Sequence, residues 1–275
     1  MTRTPTASRA RTGSKARASR PTARVLIATP IKDATAFLDS YFAVLSRLTY
    51  PKELTSIGLL EGDSRDETAR LFTERLQEAG SAYRRTRLWR FDTGFQLPPG
   101  VPRWTPHLQL FRRKALARAR NHLLSRALDD EDWVMWLDVD VIATPPDLIE
   151  TLLATGQDIL HPHCVREPGG PTFDRNAWRN QGKLLMEHMR GQGPLVPLDA
   201  VGGTVLMIKA DLHRDGLIFP PFPYAGSRGL ARRPGPWATV GQIGEIETEG
   251  LGLMAADMGH QCWGLPDLEV YHAPG

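Results

Sequence analysis

Two aspartates that directly follow an apolar segment are the residues of this sequence best suited to chemistry. Asp138 and Asp140 come after residues 133–137 (WVMWL), which are apolar on both faces and predict a central strand. Ligands of open α/β sheets bind at the carboxyl ends of the strands. Carboxylates there can hold Mn²⁺ or Mg²⁺, hard cations that prefer oxygen ligands and bridge to phosphates. Two acids at a strand end are also typical of a solvated turn or a helix cap.

A basic helix is predicted just before this strand, over residues 107–128. Arg113 and Arg120 are seven positions apart and therefore share a face of that helix. Guanidinium groups suit a diphosphate because they can form two parallel hydrogen bonds to it. We predict that Arg120 and its neighbour Asn121 bind the nucleotide of a donor, and that most other basic residues of the helix form a solvated face.

Polar residues also end the first two predicted strands. Thr29 and Pro30 close the strand at 25–30, and Asp63 follows the strand at 56–60. Loops at the ends of neighbouring parallel strands are positioned to hold a nucleoside base and ribose. We therefore predict donor contacts from all three residues, although turn chemistry explains Asp63 equally well.

The second half of the sequence supplies glycines, acids and a histidine that suit a sugar site. Paired glycines let backbone approach a ligand closely, acids at a helix start can orient sugar hydroxyls, and a histidine can complete a metal's coordination. The predicted roles are acceptor or sugar binding for Gly202 and Gly203, catalysis for Asp199, Glu247 and Glu249, and metal binding for His272 beside Asp138 and Asp140. A lone histidine is more often not a metal ligand.

Strand and helix patterns alternate along the chain, which predicts an α/β protein with a parallel sheet and helical crossovers. Residues 223–241, rich in Gly, Pro and Arg, predict a mobile loop. The predicted strands are 25–30, 56–60, 133–137, 159–162 and 202–208, and the predicted helices are 35–48, 66–79, 107–128, 144–156 and 249–259.

The charge of the chain is unevenly distributed. The first 32 residues hold eight Lys or Arg and no acid, which leaves 26 basic against 31 acidic residues in the rest, so nucleic-acid binding by the body is not indicated. We predict a disordered basic tail over residues 1–23 and a single domain over residues 24–275. The tail is interpreted as a solvated extension, a transit peptide or a peripheral contact with an acidic membrane surface.

No stretch reaches the roughly 18 consecutive apolar residues that span a bilayer, so no transmembrane segment is predicted. Cys164 and Cys262 stand far apart and form no CxxC pair, which argues against a disulfide framework or a structural zinc site. Together these features predict a cytoplasmic protein that is at most peripheral to a membrane.

Four segments of the sequence carry a further pattern. They are ARARNHLL at 117–124, WVMWLDVDVIATPPDLIETLL at 133–153, VGGTVLMIKADLHRDGLIFPPFPY at 201–224 and EIETEGLGLMAADMGHQCWGLPDLEVYH at 245–272. In this order they resemble the Anp1/Mnn9/Van1 group of mannosyltransferases, and the similarity covers residues 25–272. Most specific are the Asp-Val-Asp block with its Pro-Pro helix start, and the Glu-Thr-Glu-Gly block followed by Gly-Leu-Pro and Tyr-His.

The resemblance implies a GT-A fold, which is Rossmann-like with a mostly parallel central sheet flanked by helices. It also implies GDP-mannose as donor, Mn²⁺ as cofactor and transfer of mannose with retention of configuration. Asp138 and Asp140 would be the DxD pair, His272 the late metal ligand and Arg120 a diphosphate contact. The acids Asp199, Glu247 and Glu249 would line the donor sugar and the acceptor. The fungal members carry a membrane anchor that is not predicted here, so we expect a different acceptor.

We therefore predict a metal-dependent glycosyltransferase that moves a hexose from a nucleotide sugar to a glycan or small-molecule hydroxyl acceptor. If configuration were inverted, Glu247 or Glu249 would be the general base. The alternatives are a GT-A transferase for another UDP- or GDP-sugar, a metal-dependent nucleotidyltransferase or phosphohydrolase, and a carbohydrate-binding protein without turnover.

Overall fold

The structure is a computed structural model that describes residues 21–102, 105–225 and 244–274. Its strands are β1 Val25–Ile31, β2 Thr55–Glu61, β3 Arg85–Arg90, β4 Trp133–Leu137, β5 Val141–Ala143, β6 Ile159–Val165, β7 Trp178–Arg179, β8 Leu184–Leu185, β9 Val196–Leu198, β10 Val205–Lys209 and β11 Cys262–His272.

Helices precede or follow most of these strands. The α-helices are α1 Leu38–Arg47, α2 Thr68–Ala79, α3 Pro106–Ala127, α4 Leu148–Ala154, α5 Ala210–Arg214 and α6 Glu247–Asp257. Short 3₁₀ turns cover Thr35–Phe37, Lys52–Leu54 and Met186–Met189. Within the described ranges, no helix is both long and apolar enough to cross a bilayer.

One sheet runs through the described parts of the chain in the order β3-β2-β1-β4-β10-β6-β11-β5, with β9 added beside β11. The half made of β3, β2, β1 and β4 is entirely parallel. Beyond β4, strand β10 runs antiparallel to both of its neighbours, while β6 and β11 are parallel to each other. Strands β7 and β8 form a separate small hairpin.

Helices cover both faces of the sheet because its central strands are apolar on both sides. In β1, Val25 and Ile27 pack with α1, α2 and α4, whereas Leu26 and Ala28 pack on the opposite face with α3, α5 and α6. Successive side chains of a strand point to opposite faces, so an unbroken apolar run fills two cores. The predicted α/β class, with its sheet between helical layers, is confirmed.

The predicted strands and helices are all present, with ends that differ by a few residues. The five-residue helix α5 and six strands were not predicted. Four of these strands, β5, β7, β8 and β9, have only two or three residues, whereas β3 and β11 are longer. Strand β3 is an edge strand whose sequence, RTRLWR, is dominated by arginine. Strand β11 contains Pro266 and changes register between Leu265 and Glu269, which hides its periodicity.

Parts of two sequence predictions fall outside the described residues. Of the predicted basic tail, residues 1–20 lie outside, and of the predicted loop at 223–241, residues 226–241 do. Single-domain organisation over 24–275 stays a prediction. Cys164 and Cys262 are both free and buried, as expected without a disulfide framework.

Candidate active site

The two aspartates of the Asp-Val-Asp block lie at the carboxyl end of β4, in the middle of the sheet. The Asp138 amide donates to the Thr204 carbonyl oxygen (2.8 Å), just before β10, and so fixes the turn that leaves β4. Strand β5 follows at once and pairs with the end of β11. This pairing brings His272 to Asp140, with Nε2 2.9 Å from Oδ2. The structure thus brings His272 into contact with Asp140, while metal binding by Asp138, Asp140 and His272 stays a prediction.

Negative charge accumulates around Asp138. Burial raises the pKa of Asp138 to about 6, Arg120 opposes the rise, and the neighbouring carboxylates of Asp140, Asp174 and Glu247 add to it. For His272, burial lowers the pKa, but the hydrogen bond and the charge of Asp140 outweigh it, so the pKa is raised overall. The raised pKa of His272 thus reflects the negative charge of Asp140, whereas that of Asp138 reflects burial first and neighbouring carboxylates second.

The donor chemistry of this site fits a divalent cation. Two carboxylates and an imidazole are ligands that Mn²⁺ accepts, and the side chains of Asp138 and Asp140 remain 30% and 16% exposed, so a cation can reach them. Among the described residues, no three His, Cys, Asp or Glu side chains already converge as a metal cluster. Asp140 and His272 form the pair in contact, while Asp138 also bonds to Arg120.

Arg120 joins α3 to the acidic residues of the site. Its Nη2 donates to Asp138 Oδ1 (2.9 Å) and to the Gly203 carbonyl oxygen (3.3 Å), and its Nε donates to Glu247 Oε1 (3.1 Å). The side chain is only 3% exposed. Its Nη1 has no hydrogen-bond partner within the described part of the chain. One buried donor of the guanidinium is therefore left for a further acceptor.

The start of α6 carries two more of the predicted acids, and both are buried. Glu247 has a φ of 57°, a left-handed conformation that is unusual for a residue other than glycine and typical of functional sites. Glu249 accepts hydrogen bonds from Arg113 Nη1 (2.6 Å) and Trp178 Nε1 (2.7 Å). Arg113 also donates to the Ile246 carbonyl oxygen (2.6 Å). Buried arginines of α3 thus hold both glutamates.

The glycine pair lies against protein side chains. A Cβ added to Gly202 would lie 2.0–2.4 Å from the Asp174 carboxylate, and one added to Gly203 would lie 2.5 Å from Arg120 Nη2. Glycine is therefore required here so that Asp174 and Arg120 can approach the backbone. Acceptor or sugar binding by Gly202 and Gly203 stays a prediction.

Two of the three predicted nucleoside contacts, Thr29 and Asp63, form hydrogen bonds with other residues of the protein. Thr29 is fully buried and its hydroxyl lies 2.8 Å from the Tyr41 hydroxyl, so its side chain faces the core. Pro30 is partly exposed in β1. Asp63 accepts from the amide (2.8 Å) and hydroxyl (2.6 Å) of Thr93, which ties down the loop after β3. Burial raises the pKa of Asp63, but these bonds outweigh it and the pKa is lowered.

Asn121 and Asp199 lie in different surroundings. The Asn121 amide group pairs with the backbone of Phe219 through two hydrogen bonds, of 2.7 and 2.9 Å. It therefore positions Phe219, and its role in donor binding stays a prediction. Asp199 is exposed and accepts from the Gln181 amide (3.3 Å). No described hydrogen bond or ion pair joins Asp199 to the buried acids at α6, and its catalytic role stays a prediction.

Sequence reasoning missed Asp174 and Trp178 as parts of this site. Asp174 is 7% exposed and bonds to the backbone at Gly203 and Thr204, and Trp178 binds Glu249. Both lie between β6 and β9, where the sequence is irregular. No periodic pattern in the sequence indicates that Asp174 is buried. Arg113, by contrast, was already predicted on the same helix face as Arg120.

Comparisons with known proteins agree with this architecture. The mannan polymerase II complex anp1 subunit of Schizosaccharomyces pombe is 27% identical over 92% of this chain, and the match covers 64% of that relative. The mannan polymerase complex subunit mnn9 of the same organism is 29% identical over 90% of this chain, with 79% of the relative covered. The chain thus spans about two thirds of the first relative's length and more of the second's.

One similar solved structure is the mannosyltransferase PcManGT from Pyrobaculum calidifontis in complex with GDP-Man and Mn²⁺. It superposes with a TM-score of 0.54 at 14% identity, and the match covers 91% of this chain and 57% of that one. At this identity the likeness shows the fold, which is the GT-A glycosyltransferase fold. The Anp1 family model matches residues 8–190 and 183–223. The chain therefore belongs to the Anp1 family.

Proposed function

We propose that this chain is a metal-dependent glycosyltransferase that transfers mannose from GDP-mannose to a glycan or another hydroxyl acceptor, with retention of configuration. The observation that carries the proposal is the meeting of Asp138, Asp140, His272 and Arg120 at the end of β4. Membership of the Anp1 family and the mannan polymerase names of its relatives support mannose as the sugar.

We propose Asp140 and His272, with Asp138 beside them, as the residues that hold Mn²⁺ or Mg²⁺. A bound divalent cation would supply positive charge to the departing diphosphate. The raised pKa of Asp138, about 6, comes first from burial and then from the neighbouring carboxylates of Asp140, Asp174 and Glu247, whose negative charge supports the assignment. A site of this charge favours a cation over an apolar ligand.

Arg120 is the second source of positive charge for the diphosphate. Its Cζ lies 5.4 Å from the ring centroids of both Trp136 and Phe219, and these rings hold the guanidinium plane in place. The donor at Nη1 has no partner in the described structure, so it can bind a phosphate oxygen without breaking an existing bond. A charge fixed in advance in a buried site stabilises a leaving group without reorganisation.

The bonding of the two glutamates favours retention. Glu247 accepts from Arg120, and Glu249 accepts from Arg113 and Trp178. Both carboxylates thus already accept hydrogen bonds from buried side chains of the protein, and neither is held ready for the hydroxyl of an acceptor. In a retaining reaction the acceptor attacks from the leaving-group side, and a diphosphate oxygen can take the proton of the acceptor hydroxyl. Such a route needs no protein base.

The test is a screen of donors and metals on purified full-length protein. We expect hydrolysis of GDP-mannose in excess over UDP- and GDP-linked glucose, galactose and N-acetylglucosamine, and a loss of activity without Mn²⁺ or Mg²⁺. Calorimetric titration should show GDP binding that depends on Mn²⁺. No binding of any nucleotide in the presence of Mn²⁺ would overturn the proposal, and release of inorganic phosphate would favour a phosphohydrolase.

Two matched variants assign the metal site. Asp140→Asn removes one proposed ligand charge, and we expect it to abolish Mn²⁺ binding measured by calorimetry. Asp267→Asn neutralises an acid of β11 that instead bonds to the Gly191 amide, and Mn²⁺ binding should be unchanged. Equal Mn²⁺ affinities in the two variants would show that the site lies elsewhere.

A further inference from the structure

Phe173 and Asp174, two adjacent residues between β6 and β7, contact the elements that carry the proposed metal ligands. Asp174 is only 7% exposed. A single carboxylate oxygen, Oδ2, accepts three hydrogen bonds, from the amides of Gly203 (2.9 Å) and Thr204 (3.0 Å) and from the Thr204 hydroxyl (2.9 Å). A buried carboxylate with three donors on one oxygen fixes the backbone that provides them.

The backbone held by Asp174 in turn holds two residues of the active site. The Thr204 carbonyl oxygen accepts from the Asp138 amide (2.8 Å), and the Gly203 carbonyl oxygen accepts from Arg120 Nη2 (3.3 Å). Gly202 has no room for a side chain because Asp174 occupies the space. Asp174 therefore acts on Asp138 and Arg120 through the backbone at 203–204.

Phe173 packs against His272, the proposed metal ligand on β11. Its ring stacks on the His272 imidazole, with centroids 3.8 Å apart and planes inclined by 28°. The Arg166 guanidinium lies 4.8 Å from the centroid of the same ring. The Phe173 amide donates to the Cys164 carbonyl oxygen of β6 (2.8 Å), which fixes the ring relative to the sheet. One face of the proposed histidine ligand is thus held in contact with an aromatic ring.

We propose that Phe173 and Asp174 are positioning residues that set the geometry of the metal and diphosphate site, Phe173 through His272 and Asp174 through Asp138 and Arg120. This inference rests on the proposed function of the same site. Residues that orient metal ligands change metal affinity by roughly 10- to 100-fold when replaced. A residue that only packs the core would change stability and leave the metal affinity of the folded protein intact.

The first test compares variants at position 174 with a control two residues earlier. We expect Asp174→Ala to weaken Mn²⁺ binding, measured by calorimetry or electron paramagnetic resonance, by roughly tenfold or more. Asp174→Asn should recover part of that loss because its amide oxygen can still accept hydrogen bonds. The control is Thr172→Val, which removes a hydroxyl bonded to the Glu187 amide (3.0 Å) and His163 (3.0 Å). The control should lower the melting temperature but leave Mn²⁺ affinity unchanged.

The second test uses Phe173→Leu, which keeps apolar volume but removes the ring under His272. We expect weaker Mn²⁺ binding with a far-ultraviolet circular dichroism spectrum like that of the native protein, so this variant decides the matter even if Asp174→Ala does not fold. If the native protein binds Mn²⁺ and both Asp174→Asn and Phe173→Leu bind it as tightly, the positioning role is overturned but the proposed function is not. Native protein that binds no Mn²⁺ would overturn the proposed function, and this inference with it.

Discussion

Replacing Arg120 by methionine is the sharpest perturbation of the buried charges. The change keeps an unbranched apolar stem but leaves Asp138 and Glu247 without the guanidinium that lies 2.9 and 3.1 Å from their oxygens. Removing one partner of a buried ion pair costs about 3–5 kcal/mol because the other charge stays buried. For a chain of this size, about 2 °C per kcal/mol converts this cost to a fall in melting temperature of about 6–10 °C.

The destabilisation should also depend on pH. The pKa of Asp138 is already raised to about 6, and it will rise further without Arg120, so a proton can replace the lost charge in mildly acidic solution. Thermal melts of Arg120→Met against native protein should therefore differ less at about pH 5 than at about pH 8. Adding Asp138→Asn to Arg120→Met should recover part of the stability at the higher pH.

A surface arginine provides the control for this experiment. Arg70 is 56% exposed and pairs with Glu67 and with Glu74 of α2, and solvent screens such exposed pairs so that they stabilise little. Arg70→Met should thus melt within about 2 °C of the native protein. If Arg120→Met melted no lower than Arg70→Met, and showed no dependence on pH, the buried charges would not be coupled as described.

Three further outcomes follow from the site. The pKa of Asp138 is about 6 in the folded state and 3.8 ordinarily, so the folded state binds more protons than the unfolded state between these pH values. The free energy of unfolding should therefore fall as pH rises through this range. Asp138→Asn should remove this slope in urea titrations, and an unchanged slope would refute the assignment. Gly202→Ala should destabilise by about 1–3 kcal/mol because its Cβ meets Asp174, and a native-like melt would show that the carboxylate moves freely. Trp178→Phe removes the donor to Glu249 and should cost about 1.5–3 kcal/mol in the same titrations, whereas no loss would mean that water replaces the indole.

The fold could be predicted largely because its strands are apolar on both faces. The segments at 25–31 and 133–137 lack alternation, and such runs occur in parallel strands covered by helices on both sides. Strand β3 could not be predicted because an edge strand needs no apolar face. Its Arg85 bonds to Asp129 and Glu131 in the turn before β4, and its Arg90 bonds to Glu61 of β2. Strand β11 was hidden by a proline and a shift of register.

The positions of Asp138 and Asp140 could be predicted from the end of β4, and that of Arg120 from the face of α3 that it shares with Arg113. His272 could be proposed only as a late ligand, since its contact with Asp140 depends on the pairing of β5 with β11. Asp174 could not be found because its partners are backbone amides, which leave no mark in the sequence. The strained backbone of Glu247 is likewise set by its tertiary contacts and not by its own residue type.

The ion pairs between α3 and α6 also restrict how the chain can fold. Arg113 and Arg120 bond to glutamates 136 and 127 positions further along the sequence. A compact chain with α3 rotated about its axis or shifted by one turn would bury these guanidinium groups away from any carboxylate, at a cost of several kcal/mol for each. During folding we therefore expect the two arginines to act against misregistered packings of α3. Replacing both arginine–glutamate pairs with apolar residues would then preserve stability but allow several arrangements of this helix.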